Sequence, residues 1–92
     1  MKVIHKYKFD IREGIQEIPV THIGCVPRAI NVIGDQAYIW IEHNDHYTHD
    51  AAEFTPTFKL MVLGTGWDIE DSLVDYIGTM FTGSFVWHVY LV

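Results

Sequence analysis

Polar and apolar residues alternate along the first segment of the chain, and this pattern constrains the fold more than any other feature. In MKVIHKYKFDI one face would carry mainly apolar and aromatic side chains, namely Val3, His5, Tyr7, Phe9 and Ile11. The other face would carry Lys2, Lys6, Lys8 and Asp10. Because successive side chains of a strand point to opposite faces of a sheet, the segment predicts a half-buried β-strand.

The remaining segments also predict strands. IQEIPV predicts a short one at a sheet edge or strand end, because Pro19 lacks an N–H. Gly34, Asp35 and Gln36 separate two β-branched and aromatic runs, which predicts a hairpin. FTPTFKLMVL alternates again, and the final sixteen residues, IGTMFTGSFVWHVYLV, predict two strands about the turn at residues 82–84.

One short helix is expected after the Gly-Thr-Gly turn. Ile69, Leu73 and Tyr76 are spaced i, i+4 and i+7, and Asp68 could cap the first turn. With this helix, the sequence predicts a mainly β protein, a small antiparallel sheet or barrel of six to seven strands.

Length and composition indicate a single domain, residues 1–92, that associates with itself. A chain of 92 residues is too short to divide between two cores. Its hydrophobic fraction of 49% is generous for so small an interior, so some apolar surface should remain outside the core. We therefore expect a homodimer or a larger homo-oligomer.

Charge and cysteine content exclude some classes of function. The net charge of −6 has the wrong sign for a protein that binds duplex DNA by displacing counterions. Cys25 is the single cysteine, so an intrachain disulfide is excluded and a reducing compartment, the cytosol, is expected. No stretch has the length of a membrane span, which predicts no membrane partner, and no motif indicates a cofactor.

The segment WIEHNDHYTHDAAE raises the possibility of a metal site. His43, His46 and His49 are interleaved with Asp45 and Asp50, and imidazole suits zinc, nickel or copper. The spacing lacks the rigid frame of a helical pair or a knuckle, however. A solvated loop between strands uses the same residue types. We expect the loop rather than a metal site.

VLGTGWDIED has the outline of a phosphate-binding turn, with a strand, then Gly64, Thr65 and Gly66, then a possible helix start. It lacks the lysine of a P-loop and the length of a dinucleotide fingerprint. The simpler interpretation is a turn that needs glycine for a positive φ. Trp67 follows directly, and a large aromatic after such a turn can stack on a base or a partner's ring.

Catalytic residues are hard to find in the sequence. Cys25 could pair with a histidine, but it lies in an apolar run, where a buried and unreactive thiol is more usual. Glu70 and Asp71 are adjacent carboxylates without apolar neighbours that would raise a pKa. We predict that the protein is not an enzyme.

Three stretches, MKVIHKYKFDI, LGTGWDIED and YIGTMFTGSFVWHVY, together resemble an uncharacterised family of small phage and prophage proteins. That family has a Gly-Thr-Gly turn and a C-terminal Trp-His-Val-Tyr hairpin. The positions that match are Gly64, Thr65, Gly66, Gly78, Thr79, Trp87 and His88. The chain departs from the family at Trp67, where a histidine often follows the turn. The resemblance implies a β fold and a phage-associated origin, and no chemistry.

Two functions are compatible with these features. The first is a counter-defence protein that sequesters a small nucleotide-derived host signal in a pocket between subunits. In it, Trp67, Trp40 or Tyr38 would stack on the base, and Arg28 or the amides of Gly64 to Gly66 would face phosphate. The second is an acidic protein that inhibits a host nucleic-acid-binding enzyme by covering its basic surface. A metal-dependent hydrolase is the third hypothesis.

Overall fold

A computed structural model describes residues 2–20, 24–44, 57–73 and 75–92 of the chain. This part of the chain forms seven strands, and it contains no helix. They are β1 (Lys2–Phe9), β2 (Gly14–Pro19), β3 (Val26–Ile33), β4 (Gln36–Asn44), β5 (Thr57–Gly64), β6 (Asp75–Thr82) and β7 (Phe85–Leu91). The prediction of a mainly β fold is confirmed, and the predicted helix is wrong.

The strands form two antiparallel sheets. The three-stranded sheet has the order β1-β4-β3, and the four-stranded sheet has the order β2-β5-β7-β6. The prediction offered one small sheet or a barrel, but within the described ranges the ladders end at β1, β3, β2 and β6, so the barrel does not close. Both sheets contribute their inward side chains to one core, which includes Phe9, Ile18, Ile39, Leu60, Val62, Met80 and Val89.

Strand β4 shows how the alternating sequence produces this core. Ala37, Ile39 and Ile41 point inward and are fully buried, whereas Tyr38 and Trp40 point outward and are half-buried. Burying a side chain of isoleucine size stabilises a fold by about 1.5 to 3 kcal/mol. A register shift of one residue would expose all three inward residues, so the core fixes which side chains form the outer face.

The segment where the helix was predicted is irregular. Residues 65–73 contain turns, of which the last is closed by the amide of Leu73 donating to the carbonyl of Glu70 at 2.9 Å. The three positions that suggested a helix do not share a buried face, because Ile69 is 43% exposed and Tyr76 belongs to β6. Without an apolar face to bury, so short a helix cannot offset its nucleation cost.

Two contacts join the sheets at places where no ladder does. At the first, Gly78 of β6 lies against Ile30 of β3 so closely that a Cβ on Gly78 would be 3.0 Å from Ile30 Cγ1. At the second, the buried carboxamide of Gln16 accepts from the Asp10 amide and donates to the Asp10 carbonyl, both at 2.8 Å. It thereby satisfies both backbone groups where the chain leaves β1 for the other sheet.

Candidate functional site

The residues predicted to bind a ligand fall into two groups on different sheets. Arg28, Tyr38 and Trp40 belong to strands β3 and β4 of the three-stranded sheet. Gly64 ends β5 of the four-stranded sheet, and Thr65, Gly66 and Trp67 follow it. The two groups therefore define two separate surfaces.

The outer surface of the three-stranded sheet combines aromatic rings with cations, and we call it the basic face. It contains Lys2, Lys6, Lys8, Arg28, Tyr38 and Trp40, and thus four of the six Lys and Arg residues of the chain. In the register of β1 and β4, Lys8 is opposite Tyr38 and Lys6 is opposite Trp40. The basic face is a cationic surface on a protein whose net charge is −6.

The two rings of the basic face are neighbours at i and i+2 on one strand. Their centroids are 6.3 Å apart and their planes differ by 49°. The Nζ of Lys6 is 4.6 Å from the centroid of the Tyr38 ring, within the range of a cation–π interaction. The ammonium group is therefore beside the ring, where it could also contact an anionic group of a ligand that stacks there.

Arg28 is at the edge of the basic face, in the β-bulge of β3 between Pro27 and Ala29. Its Nε and Nη2 donate to the two carboxylate oxygens of Glu42, each at 3.2 Å. Lys2 Nζ is 3.4 Å from the same carboxylate. The hydrogen bond from Arg28 is the main reason why the pKa of Glu42 lies below its ordinary value, and the charge of Arg28 and the contact with Lys2 lower the pKa further. Desolvation acts in the opposite direction and raises the pKa. Glu42 thus competes with any anionic ligand for Arg28.

The second group of predicted residues borders a cleft of about 490 Å³, which we call the aromatic cleft. Its lining residues are Glu13, Gly64, Thr65, Trp67, Ser84, Phe85, Val86 and Trp87. Gly64 and Trp87 are paired across β5 and β7. Trp67 is 57% exposed, and its ring folds back over Gly64.

Two backbone amides at the Gly-Thr-Gly turn donate hydrogen bonds within the protein. The Thr65 amide donates to the Val86 carbonyl at 3.1 Å, and the Trp67 amide donates to the Gly64 carbonyl at 3.3 Å. Gly66 has a φ of +90°, the conformation that the simpler interpretation of the turn requires. With two amides engaged and Glu13 lining the same cleft, the turn offers little to a phosphate.

Three of the positions that suggested a family resemblance, Thr65, Thr79 and His88, form one hydrogen-bonded cluster. Thr65 Oγ1 and His88 Nε2 are 2.9 Å apart, and Thr79 Oγ1 and His88 Nδ1 are 3.1 Å apart. Tyr76 shares a further hydrogen bond with Thr79. His88 thus ties the glycine turn to β6 through both ring nitrogens, as expected of a partly buried strand histidine. These positions hold the turn in place.

His43 does not belong to a solvated loop, as the sequence suggested, but to strand β4, where it is 1% exposed. Its Nε2 is 2.8 Å from the Tyr7 hydroxyl and its Nδ1 is 3.7 Å from Cys25 Sγ. His43 is buried because it follows Ile39 and Ile41 at every second position of β4, on the inward side of the strand. The hydrophilic residues around it in the sequence hid this alternation. His46 and His49 lie outside the described residues, and among the described ones no three His, Cys, Asp or Glu side chains converge as a metal site requires.

The contact between Cys25 and His43 raises the question of nucleophilic chemistry. Burial raises the pKa of the Cys25 thiol, which disfavours the reactive thiolate. An activated cysteine needs a lowered pKa instead. The pair is therefore better suited to packing and hydrogen bonding than to catalysis.

Sequence reasoning missed part of both surfaces. Lys2, Lys6 and Lys8 were recognised as the polar face of β1, but their position beside Tyr38 and Trp40 depends on the pairing of β1 with β4. Phe85 and Trp87 reach the cleft because β7 pairs with β5. The spacing of two residues between Phe85 and Trp87 places them on one face, which was visible in the sequence.

Taken together, these features define a small antiparallel β protein with a basic, aromatic sheet face and a separate aromatic cleft. The chain belongs to the family described as a domain of unknown function, DUF7352, which it matches over residues 1–92. It matches no curated protein and no solved structure. The described part of the chain has no helix that is long and apolar enough to cross a membrane.

Proposed function

We propose that the protein is a non-enzymatic binding protein that sequesters a small nucleotide-derived ligand on its basic face. The observation that carries this proposal is the gathering of four of the six Lys and Arg residues around Tyr38 and Trp40. A nucleotide combines a planar ring with phosphate, and aromatic side chains beside cations recognise that combination. The resemblance to phage proteins supplies the proposed setting, counter-defence in the host cytosol.

The ligand contacts follow from the geometry of the face. The base stacks on Trp40 or Tyr38, and the phosphates lie toward Lys6 and Lys8, which are opposite these rings. Arg28 contributes when it exchanges its contacts with Glu42 for the ligand. The Gly64 to Gly66 amides and Trp67, on the other sheet, have no part in this site.

A titration with nucleotides tests the proposal. A panel of cyclic and linear mono- and dinucleotides is titrated by calorimetry against the protein and against two variants, Lys6→Gln and Lys59→Gln. Both variants remove one positive charge, but Lys59 is on the other sheet, beside Glu17 at 3.5 Å. Lys6→Gln should weaken binding and reduce its dependence on salt, whereas Lys59→Gln should leave both unchanged.

The outcomes separate the hypotheses. A ligand at a hundred times its dissociation constant should add about 2.7 kcal/mol to the free energy of unfolding. If no nucleotide binds, or if both variants weaken binding equally, the basic face is not the site. The alternatives, an acidic inhibitor of a host enzyme and a metal-dependent hydrolase, rest on the net charge and on a histidine segment that is mostly outside the described residues.

We also propose that the protein assembles as a homodimer or a larger homo-oligomer. The outer surface of the four-stranded sheet, here called the apolar face, supports this. In the register of the sheet Ile15, Met61, Tyr90 and Tyr76 form one row across all four strands. Phe81, on the same face, is 70% exposed. Exposed apolar rows of this kind mark association surfaces.

Light scattering tests the assembly. At tens of micromolar the protein should have the mass of a dimer or more, and Phe81→Glu should lower that mass because a carboxylate would be desolvated in the interface. Phe85→Glu is the matched control, since Phe85 is also exposed, at 64%, but lines the cleft. A protein that stays monomeric at this concentration would contradict the proposed assembly.

A further inference from the structure

The aromatic cleft has a chemistry of its own, which the nucleotide proposal does not use. Three rings border it, those of Trp67, Phe85 and Trp87, and Glu13 is the charged residue of its lining. The faces of aromatic rings carry negative potential and attract cations. A carboxylate beside them adds to that attraction, and it repels phosphate. The cleft therefore favours a ligand of positive charge.

The rings of the cleft are held in place before any ligand binds. Trp87 Nε1 donates to Thr82 Oγ1 at 2.8 Å, and the Phe85 and Trp87 ring centroids are 6.2 Å apart, with their planes inclined by 34°. Trp67 packs over Gly64. Such preorganisation reduces the entropy that a ligand loses on binding.

Gly64 is the residue that permits this arrangement. A Cβ at position 64 would be 3.0 Å from Trp67 Cδ1 and 3.1 Å from Trp67 Nε1, both of which are closer than ordinary van der Waals contact. It would also be 3.9 Å from Trp87 Cζ3. Glycine thus allows the two tryptophans to approach the same point of the backbone.

The volume of the cleft and the exposure of its side chains restrict the class of ligand further. A cleft of about 490 Å³ is within the range of small-molecule sites. Phe85 is 64% exposed and Trp67 is 57% exposed, so both side chains are accessible from the solvent. A cation without N–H donors suits these walls best, since it needs no hydrogen-bond acceptors and is weakly hydrated.

We propose that the aromatic cleft binds an organic cation of the trimethylammonium class, held by Trp67, Phe85 and Trp87 with Glu13 as counter-charge. The same head group occurs in free choline-like molecules and in trimethylated lysine side chains. The site is distinct from the basic face, and its occupancy does not depend on nucleotide binding.

The test compares choline with its neutral isostere, 3,3-dimethylbutan-1-ol, by NMR titration of the full chain. The two have nearly the same shape, so a difference in affinity measures the charge. We expect choline to shift the indole signals of Trp67 and Trp87 and to bind about two- to fivefold more tightly than the isostere, as cation–π energies at exposed sites imply. A trimethyl-lysine peptide and its unmethylated form, titrated in parallel, distinguish a free ligand from a modified protein.

Two conservative variants localise the effect. Glu13→Gln should weaken choline binding severalfold and reduce the preference over the isostere, because the counter-charge is lost. Glu17→Gln removes the same charge from β2 outside the cleft and should change neither. The proposal is overturned if none of the cations binds, if the isostere binds as tightly as choline, or if the two variants behave alike.

Discussion

The basic face and the aromatic cleft contain the same kinds of ring but differ in the charges beside them. Tyr38 and Trp40 are next to lysines, whereas Trp67 and Trp87 share their surroundings with Glu13. Aromatic rings accept both bases and cations, so the neighbouring charges select between the two. The presence of a tryptophan therefore does not by itself indicate which kind of ligand a surface binds.

The largest expected effect is that two tryptophan variants each lose affinity for a different ligand. Trp40→Ala should cost about 1 to 3 kcal/mol of nucleotide binding, the usual value of a base stacked on an aromatic ring. Trp40→Ala should leave choline binding unchanged. Trp67→Ala should weaken choline binding and leave nucleotide binding unchanged. Calorimetric titration of both variants with both ligands measures this. A variant that weakens both ligands would show that the surfaces are not independent.

The second prediction concerns the glycine turn that carries Trp67. Gly66 has a φ of +90° and open space around the position of a Cβ, so Gly66→Val should destabilise the fold by strain alone. We expect the free energy of unfolding to fall by about 1 to 2 kcal/mol, measured by urea denaturation. Gly66→Asn is the control, because asparagine tolerates positive φ better, and it should cost less. Equal stability of all three proteins would contradict the prediction.

The smallest effect is on the titration of Glu42. Arg28→Gln removes the main cause that lowers the pKa of Glu42, so the pKa should rise toward its ordinary value. In the unsubstituted protein the carboxylate favours folding above the ordinary pKa, and its contribution is lost as the pH falls through the lowered pKa. NMR titration of the Glu42 carboxyl carbon measures the shift. Lys59→Gln should leave this pKa in place, and a pKa that does not respond to Arg28→Gln would exclude the pair as its cause.

Much of the fold was predictable from alternation. The inward and outward residues of β1 and the buried series Phe58, Leu60 and Val62 of β5 are those expected from the sequence. The division into two sheets was not predictable, because strand pairing over long separations leaves no local pattern. The helix failed because the i, i+4, i+7 spacing at Ile69 had no core to face, and tertiary context overrides such a pattern.

The candidate sites were predicted less well than the fold. The sequence indicated Trp67, Trp40, Tyr38 and Arg28 but could not show that they are on different sheets. His43 was misplaced because its hydrophilic neighbours suggested a loop, although it continues the inward parity of Ile39 and Ile41. A residue near the end of a strand has the local composition of the following loop and the burial of the strand.

The Gln16 carboxamide affects how the two sheets separate when the protein unfolds. It supplies the Asp10 backbone with both hydrogen-bond partners that a neighbouring strand would otherwise supply. The Gln16–Asp10 contact is polar, whereas the Gly78–Ile30 contact is apolar. Denaturants and heat weaken apolar packing and hydrogen bonds to different degrees. Because the two contacts differ in chemistry, their relative contributions to holding the two sheets together change with temperature and denaturant.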